Sequence, residues 1–308
     1  MSKSRPRIAI ATCAGYEDLK VDDRLLREAL EARGAEARSV VWDEEGTQWE
    51  SFDLCLVRST WDYHEKHEQF LAWTREVAGA TTLHNPPDLI AWNSEKTYLR
   101  ELSEAGVPTV PTVWVDRGSS TDVEALLGRE GWGEAVIKPV VDLGAKNLRR
   151  VRAGEAGAQE ALTTVLTRHD AMVQPFLPSL EEQGETSLIY IDGNFTHAVR
   201  KRPAEGDFRV QSIWGGTVEA TTPNGTQREV AEQALTQLGD LPPYARVDLV
   251  TDLNGNPALI ELELIEPNLY LNTHPTASPR LADAVLQKLS QEGPVPPLTK
   301  AREATPEP

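Results

Sequence analysis

Cysteine is scarce: the 308 residues hold two, Cys13 and Cys55. Both lie in apolar, strand-like runs, with no Cys-x-x-Cys pair and no Cys/His cluster. That argues against a disulfide scaffold or a zinc site and for buried thiols in a reducing compartment. Long hydrophobic runs are absent too. The basic start (Lys3, Arg5, Arg7) precedes only Ile8–Ala11, too short for the core of a signal peptide. Nothing approaches the roughly 20 apolar residues of a membrane-spanning helix. The expectation is a cytoplasmic protein with no membrane partner. Positive charge is also in deficit, with 31 Lys and Arg against 48 Asp and Glu and a net charge of -17. Counterion release onto a nucleic acid needs basic clusters, and none dominates, so no nucleic-acid partner is expected. An acidic chain that handles a polyanion must use a few placed cations and a metal.

What is present begins as strand, helix, strand. Arg7–Thr12 reads as a buried strand, and a helix near Asp22–Arg33 carries Leu25, Leu26, Ala29 and Leu30 on one face, with Gly34 as its stop. Strands at Ala37–Trp42 and Asp53–Arg58 complete a small parallel sheet. The last runs into Arg58-Ser59-Thr60-Trp61-Asp62-Tyr63, beyond a strand's carboxyl end, where open α/β sheets bind ligands. A loop anchored by a buried Trp is the equal alternative. A helix Lys66–Ala78 and a strand Thr81–His84 lead to Asn85-Pro86-Pro87, a candidate domain boundary.

Ser94 can cap a helix to Ala105, which puts Lys96 in the first turn, where a cation opposes the helix dipole unless an anion is near. A surface lysine is the plainer reading of Lys96 alone. A strand Thr112–Val115 and a helix opened by the capping box Thr121-x-x-Glu124 follow. Lys138 ends the apolar strand Glu134–Pro139, a costly place for an ammonium without an anionic partner. Val140–Asn147 is a loop able to offer backbone N–H groups to phosphates, although it has a single glycine. A strand Leu148–Arg152, a helix Glu155–Arg168 and a strand Ala171–Leu177 broken by Pro175 come next.

Two hairpins follow. Glu185–Ile191 and Phe195–Arg202 flank Asp192-Gly193-Asn194, and the second strand carries Arg200-Lys201-Arg202, either a charged edge or a binding patch. Phe208–Ile213 reads as a strand bearing Arg209, and Gln227–Leu238 as a helix. Val247–Thr251 and Ala258–Ile265 then flank Asn254-Gly255, a tight-turn signal. A two-residue turn there sets Asp248 opposite Glu261 and Arg246 opposite Glu263. Alternation places Asp248, Glu261 and Glu263 on one face and Leu262 and Leu264 on the other. Like charges set opposite one another are destabilising, so this face wants a cation, and all-oxygen ligands suit Mg²⁺. A solvated polar face is the alternative these residues leave open. A last helix runs from Ser278 to Leu289, and 291–308, rich in Pro and charge, is expected to be disordered.

This order of lysine, strand-end lysine, loop, broken strand, cationic strand and carboxylate hairpin resembles the ATP-grasp superfamily of carboxylate–amine ligases. Glu261-Leu262-Glu263, Leu264-Ile265-Glu266-Pro267, Gly206–Gln211, Ala198–Arg202 and Arg58–Tyr63 look like its D-cycloserine cyclo-ligase branch. The resemblance implies an α/β (α+β) ATP-grasp fold: a Rossmann-like domain over 1–90, a central subdomain over 91–170 with the phosphate loop, and a C-terminal subdomain over 171–290 with the metal site. It implies ATP and Mg²⁺ (or Mn²⁺) and a small amino-acid-like substrate, with a homodimer as the expected assembly. Lys96 and Lys138 would contact phosphates, Gln174, Phe176 and Leu177 would form the hinge at adenine, and Glu185 would lie near the ribose. Asp248, Glu261 and Glu263 would hold the metal, and Arg209 would join Lys138 at the transferred phosphate. Arg58, Ser59, Thr60, Asp62, Arg200, Arg209 and Asn268 would face the substrate. The chain departs from the glutathione synthetase-like Glu-x-Asn motif, and no residue stands out as a general base. A nucleotide-binding module without catalysis and a metal-dependent phosphohydrolase remain as alternatives.

Overall fold

The computed structural model of the protein describes residues 5–292. From 293 onward the tail expected to be disordered lies outside the described residues. The chain opens with β1 (Arg7–Thr12), α1 (Val21–Glu31), β2 (Glu36–Val41), β3 (Leu54–Ser59), α2 (His67–Ala80) and β4 (Thr82–His84). These strands form a parallel sheet in the order β2-β1-β3-β4. Helices cover both faces, so β1 and β3 are apolar and buried almost throughout. Leu26 and Leu30 of α1 seal one face, and Phe70, Trp73 and Val77 of α2 seal the other with Trp42 and Trp49.

The middle of the chain holds α3 (Pro87–Ser94), α4 (Tyr98–Glu104), β5 (Val113–Val115), α5 (Val123–Glu130), β6 (Glu134–Pro139), β7 (Arg149–Arg152), α6 (Ala158–Leu166) and β8 (Ala171–Pro175). Its strands make an antiparallel sheet, β5-β8-β6-β7. The rest is α7 (Ser179–Glu182), β9 (Glu185–Ile191), β10 (Asn194–Arg202), β11 (Thr217–Thr221), α8 (Gly225–Leu235), β12 (Tyr244–Thr251), β13 (Pro257–Glu263) and α9 (Ala277–Glu292). Here the sheet order is β11-β10-β9-β12-β13. Helix α9 returns to the first sheet, where Leu281 and Val285 join the core of α1. Among the described residues no helix is long and apolar enough to cross a membrane.

Several local expectations are corrected. The expected boundary at 170/171 would sever β8 from its own sheet, because β8 pairs with β5 and β6. Ser94 ends α3 rather than capping the next helix, and Pro87 starts α3 at a position where its missing N–H costs nothing. Lys96 therefore sits in the junction before α4, outside any helical first turn. Asp122, not Thr121, caps α5 by accepting from the Ala125 N–H at 2.9 Å, while the Glu124 carboxylate accepts from the Gly154 N–H. Phe208–Ile213 joins no sheet; it is a loop that runs into a short 3₁₀ turn, Ser212–Trp214. Gly216 permits that fold, since a Cβ there would stand 2.2 Å from the Val210 carbonyl oxygen. The edge strand β11 had no readable pattern because nearly all of it is exposed.

The acidic hairpin pairs as expected at Asp248–Glu261 and Arg246–Glu263, by a different route. Its turn is longer, with the Asp252 N–H bonded to the Asn256 carbonyl and the Gly255 N–H to the Asp252 carbonyl. A bulge after Asp248 shifts the ladder back by one residue. The two departures cancel at the acids.

Candidate active site

A cavity of about 740 Å³ lies between the middle and C-terminal sheets and reaches the strand ends of the first sheet. At one end Val110, Val136, Leu177, Leu180, Ile260 and Leu262 make an apolar slot. Gln174 borders it and spends its amide on Thr112, donating to Oγ1 at 2.8 Å. Phe176 turns away: its ring lies under the Arg150 guanidinium and edge-on to Phe208, and its N–H is taken by the Glu134 carbonyl.

Beyond the slot, charges alternate. Lys96 donates to Glu261 at 3.0 Å and to the Asp142 carbonyl at 2.7 Å. Lys201 bridges Glu185 and Asp248, 3.0 Å from the latter. Arg246 bonds Asp248 at 2.9 Å and also pairs with Glu263. Ser187 donates to Asp248 at 2.6 Å. Asp248 lies beneath the cavity floor, 1% exposed, whereas Glu261 and Glu263 line the cavity. One carboxylate oxygen from each of these three acids lies within 4.8 Å of the others.

The electrostatics follow from burial shared among a few charges. Burial alone would raise the Asp248 carboxyl, but Arg246 and Lys201 outweigh it and hold the group well below its usual range. Burial pushes Glu263 up to about 7, with Glu261 and Asp248 adding to the rise and Arg246 opposing it. Burial takes Glu185 to about 8, Lys201 opposing and Asp248 adding. Lys201 stays charged, because Asp248 and Glu185 overcome its desolvation. Lys138 is the exception among the cations: burial lowers it to about 8, only partly countered by Glu261. Among the described residues it makes no ion pair, which leaves its charge for an incoming anion.

The opposite end of the cavity is aromatic and polar, with Tyr16, Lys20, Trp61, Asp62 and Tyr63 from the first sheet facing Glu266, Asn268 and Tyr270. Two loops close over it. Trp214 donates its indole N–H to the Gly144 carbonyl at 2.9 Å, tying the 206–216 loop to the 140–147 loop. Arg209 lines the cavity, paired with Asp207 at 2.7 Å and stacked over the Trp214 ring.

Lys96, Lys138, Gln174, Leu177, Glu185, Asp62, Arg209, Glu261, Glu263 and Asn268 thus meet around one space, with Asp248 directly under it. Four of the expected substrate residues do not. Arg58 is 2% exposed, bound to Asp23 at 2.8 Å and to the Pro267 carbonyl at 2.8 Å; it clamps the first sheet to the segment after β13. Ser59 bonds Thr12 in the core, and Thr60 is fully buried. Arg200 lies on the other face of β10, and Lys201 takes the inward place. A strict ladder from Asp192-Gly193 would set Arg200 opposite Glu185. A bulge between Phe195 and His197 slips the register, so Lys201 faces Glu185 instead. Glu266, Trp61 and Tyr63 stand in segments that carry the family resemblance, and Arg246 was expected opposite Glu263, but the sequence assigned none of them a role in the site.

Comparison with known proteins identifies the family. Residues 101–242 match the model of the prokaryotic glutathione synthetase ATP-grasp domain. Residues 8–85 match that of the N-terminal domain of D-cycloserine synthetase DcsG. The cycloserine biosynthesis protein DcsG of Streptomyces lavendulae is 30% identical over 296 residues, covering 92% of this chain and 98% of the relative. A crystal structure of D-cycloserine synthetase DcsG superposes with a TM-score of 0.83 at 30% identity, over 92% of this chain and 99% of that one. D-alanine–D-alanine ligase of Bacillus anthracis, complexed with ATP, shares the fold at a TM-score of 0.68 and 12% identity, over 94% and 99%. The chain belongs to the ATP-grasp ligases, which use ATP to form C–N bonds. Within them, DcsG resembles it along nearly the whole length.

Proposed function

We propose that this ligase is ADP-forming and Mg²⁺-dependent, that it activates the carboxylate of a small amino-acid-like substrate as an acyl phosphate, and that it closes an amide within the same molecule. One observation carries the proposal: Lys96, Lys138 and the carboxylate hairpin converge on one cavity that continues to an aromatic, polar end large enough for an amino acid. Adenine would occupy the apolar slot, along the backbone of 174–177. Lys96 and Lys138 would face the phosphates, and Glu185 would lie toward the ribose.

Three carboxylates with converging oxygens are the hard donor set Mg²⁺ prefers, and Asp248, Glu261 and Glu263 would hold it. Bound there, the ion supplies positive charge across the phosphates. A carboxylate is a poor electrophile, and transfer of the terminal phosphoryl group makes it a good one. Lys138 and Arg209 neutralise charge on the transferred group, an effect worth most where water is excluded. The joined 142–147 and 206–216 loops exclude it, protecting the acyl phosphate until the amine attacks. The architecture favours three functional units: 1–90 on the substrate side, a central one with the phosphate loop and a C-terminal one with the metal site.

Incubation with ATP, Mg²⁺ and a panel of amino-acid-like carboxylates is predicted to release ADP and phosphate. Lys138→Ala should abolish turnover, and Glu261→Ala should raise the Mg²⁺ requirement sharply. AMP and pyrophosphate as products would overturn the mechanism, and phosphate release without any carboxylate would point to a hydrolase.

A further inference from the structure

Glu266 is a buried carboxylate that the phosphoryl-transfer chemistry does not use. It follows β13 by three residues, is 6% exposed and lines the aromatic end of the cavity. Among the described residues its carboxylate has neither a hydrogen bond nor an ion pair. It also stands outside the three acids whose oxygens converge. A carboxylate buried without a partner is costly, and its neighbours Glu261 and Glu263 add to the cost.

The backbone around it is fixed with unusual thoroughness. Tyr244 donates to the Ile265 carbonyl at 2.8 Å, and Trp61 to that of Glu266 at 3.0 Å. Arg58 donates to the Pro267 carbonyl at 2.8 Å, and Arg246 to that of Asn268 at 3.2 Å. Successive carbonyls are thus tied to both sides of the cleft, so the backbone that carries the carboxylate cannot move without breaking a clamp. Burial disfavours the charge on this carboxyl, Lys96 and Arg246 oppose that only from a distance, and a cation placed against it would restore the carboxylate. A single carboxylate among Trp61, Tyr63 and Tyr16 is a poor seat for a metal, which needs several oxygens, and a good one for an organic ammonium against ring faces.

We infer that Glu266 binds an ammonium group of the substrate that takes no part in bond formation, which makes the substrate a 2-amino carboxylic acid. This rests on the ligase reading above. The amino group sits on Glu266, and the carboxylate one carbon away reaches toward the phosphates.

The test traps the acyl phosphate with hydroxylamine, so that the enzyme's own nucleophile plays no part. Matched pairs are supplied: D- and L-alanine with D- and L-lactate, and D- and L-serine with D- and L-glycerate. Wild type is expected to give hydroxamate from amino members and little from hydroxy members. Glu266→Gln should lower the amino-to-hydroxy ratio of kcat/KM by about tenfold to a hundredfold, mostly through KM, as expected for losing a hydrogen bond to a charged group. Glu266→Asp should recover part of the ratio. Glu266→Gln should also leave Tm unchanged or raised, whereas a structural role would lower it. Hydroxamate with an unchanged ratio overturns the inference and leaves the ligase reading standing. No hydroxamate from any pair overturns the ligase reading, and the inference with it.

Discussion

Raising the pH should weaken ATP binding before it harms the fold, and Lys138 is the reason. Burial at the end of β6 lowers its ammonium to about 8, Glu261 countering only in part. A bound polyphosphate brings the missing negative charge and returns the group toward the ordinary lysine range. The pKa is then lower in the free protein than in the complex, so binding takes up a proton at alkaline pH. Affinity is complete below 8 and is lost as the pH rises through it. The predicted slope is about tenfold in Kd for each pH step above 8. Titration calorimetry with Mg²⁺ and ATP between about pH 7 and 9.5, in two buffers of different ionisation enthalpy, reads both the slope and the proton uptake. Lys138→Arg keeps its charge throughout and should flatten the curve. Glu185, which burial raises to about 8, titrates in the same window, and the difference between the two proteins cancels it. A flat wild-type curve, or the same bend in Lys138→Arg, would refute the reasoning.

Three further predictions concern the scaffold. Arg58→Met strands a buried Asp23 and should cost about 3–5 kcal/mol in urea unfolding, with Arg58→Met/Asp23→Leu recovering much of it; a stable single variant would deny the clamp. Gly184→Ala would put a Cβ 2.2 Å from the Lys201 carbonyl oxygen at a φ of +78°. It should lower Tm and weaken ATP binding together, and an unchanged Kd would detach Lys201 from the nucleotide site. Trp214→Phe removes the N–H that joins the two loops. ADP should then form in excess over amide, whereas a ratio held at unity would show that the tie does not keep water out.

Much of the site was legible where chemistry and local pattern coincide. Lys138 stood out because an ammonium at the end of an apolar strand needs an explanation, and the acid trio because a turn signal and side-chain alternation set it on one face. The misses have one cause in common. Arg58 and Arg200 are cations in suggestive places, but which way each points depends on contacts from distant segments. Asp23, Pro267 and Tyr244 draw Arg58 into the core. One bulged residue turns Arg200 away and Lys201 inward. Phe176 lies in the segment expected to form the hinge, and Arg150 and Phe208 capture its ring from elsewhere in the chain.

The chain alone determined most of its buried secondary elements, the pairing of Asp248 with Glu261, and the membership that follows from the order of its lysines and acids. Those features are written in periods of two and 3.6 residues and in the choice of turn residues, which need only neighbours along the backbone. Only the tertiary structure decided that Lys201 and Arg246 neutralise Asp248, that Arg58 is a clamp, and that Glu266 is left facing the cavity without a counterion. Charges within a few ångströms set each other's ionisation and orientation whatever their separation in sequence, and that proximity exists only once the three sheets have closed around the cleft.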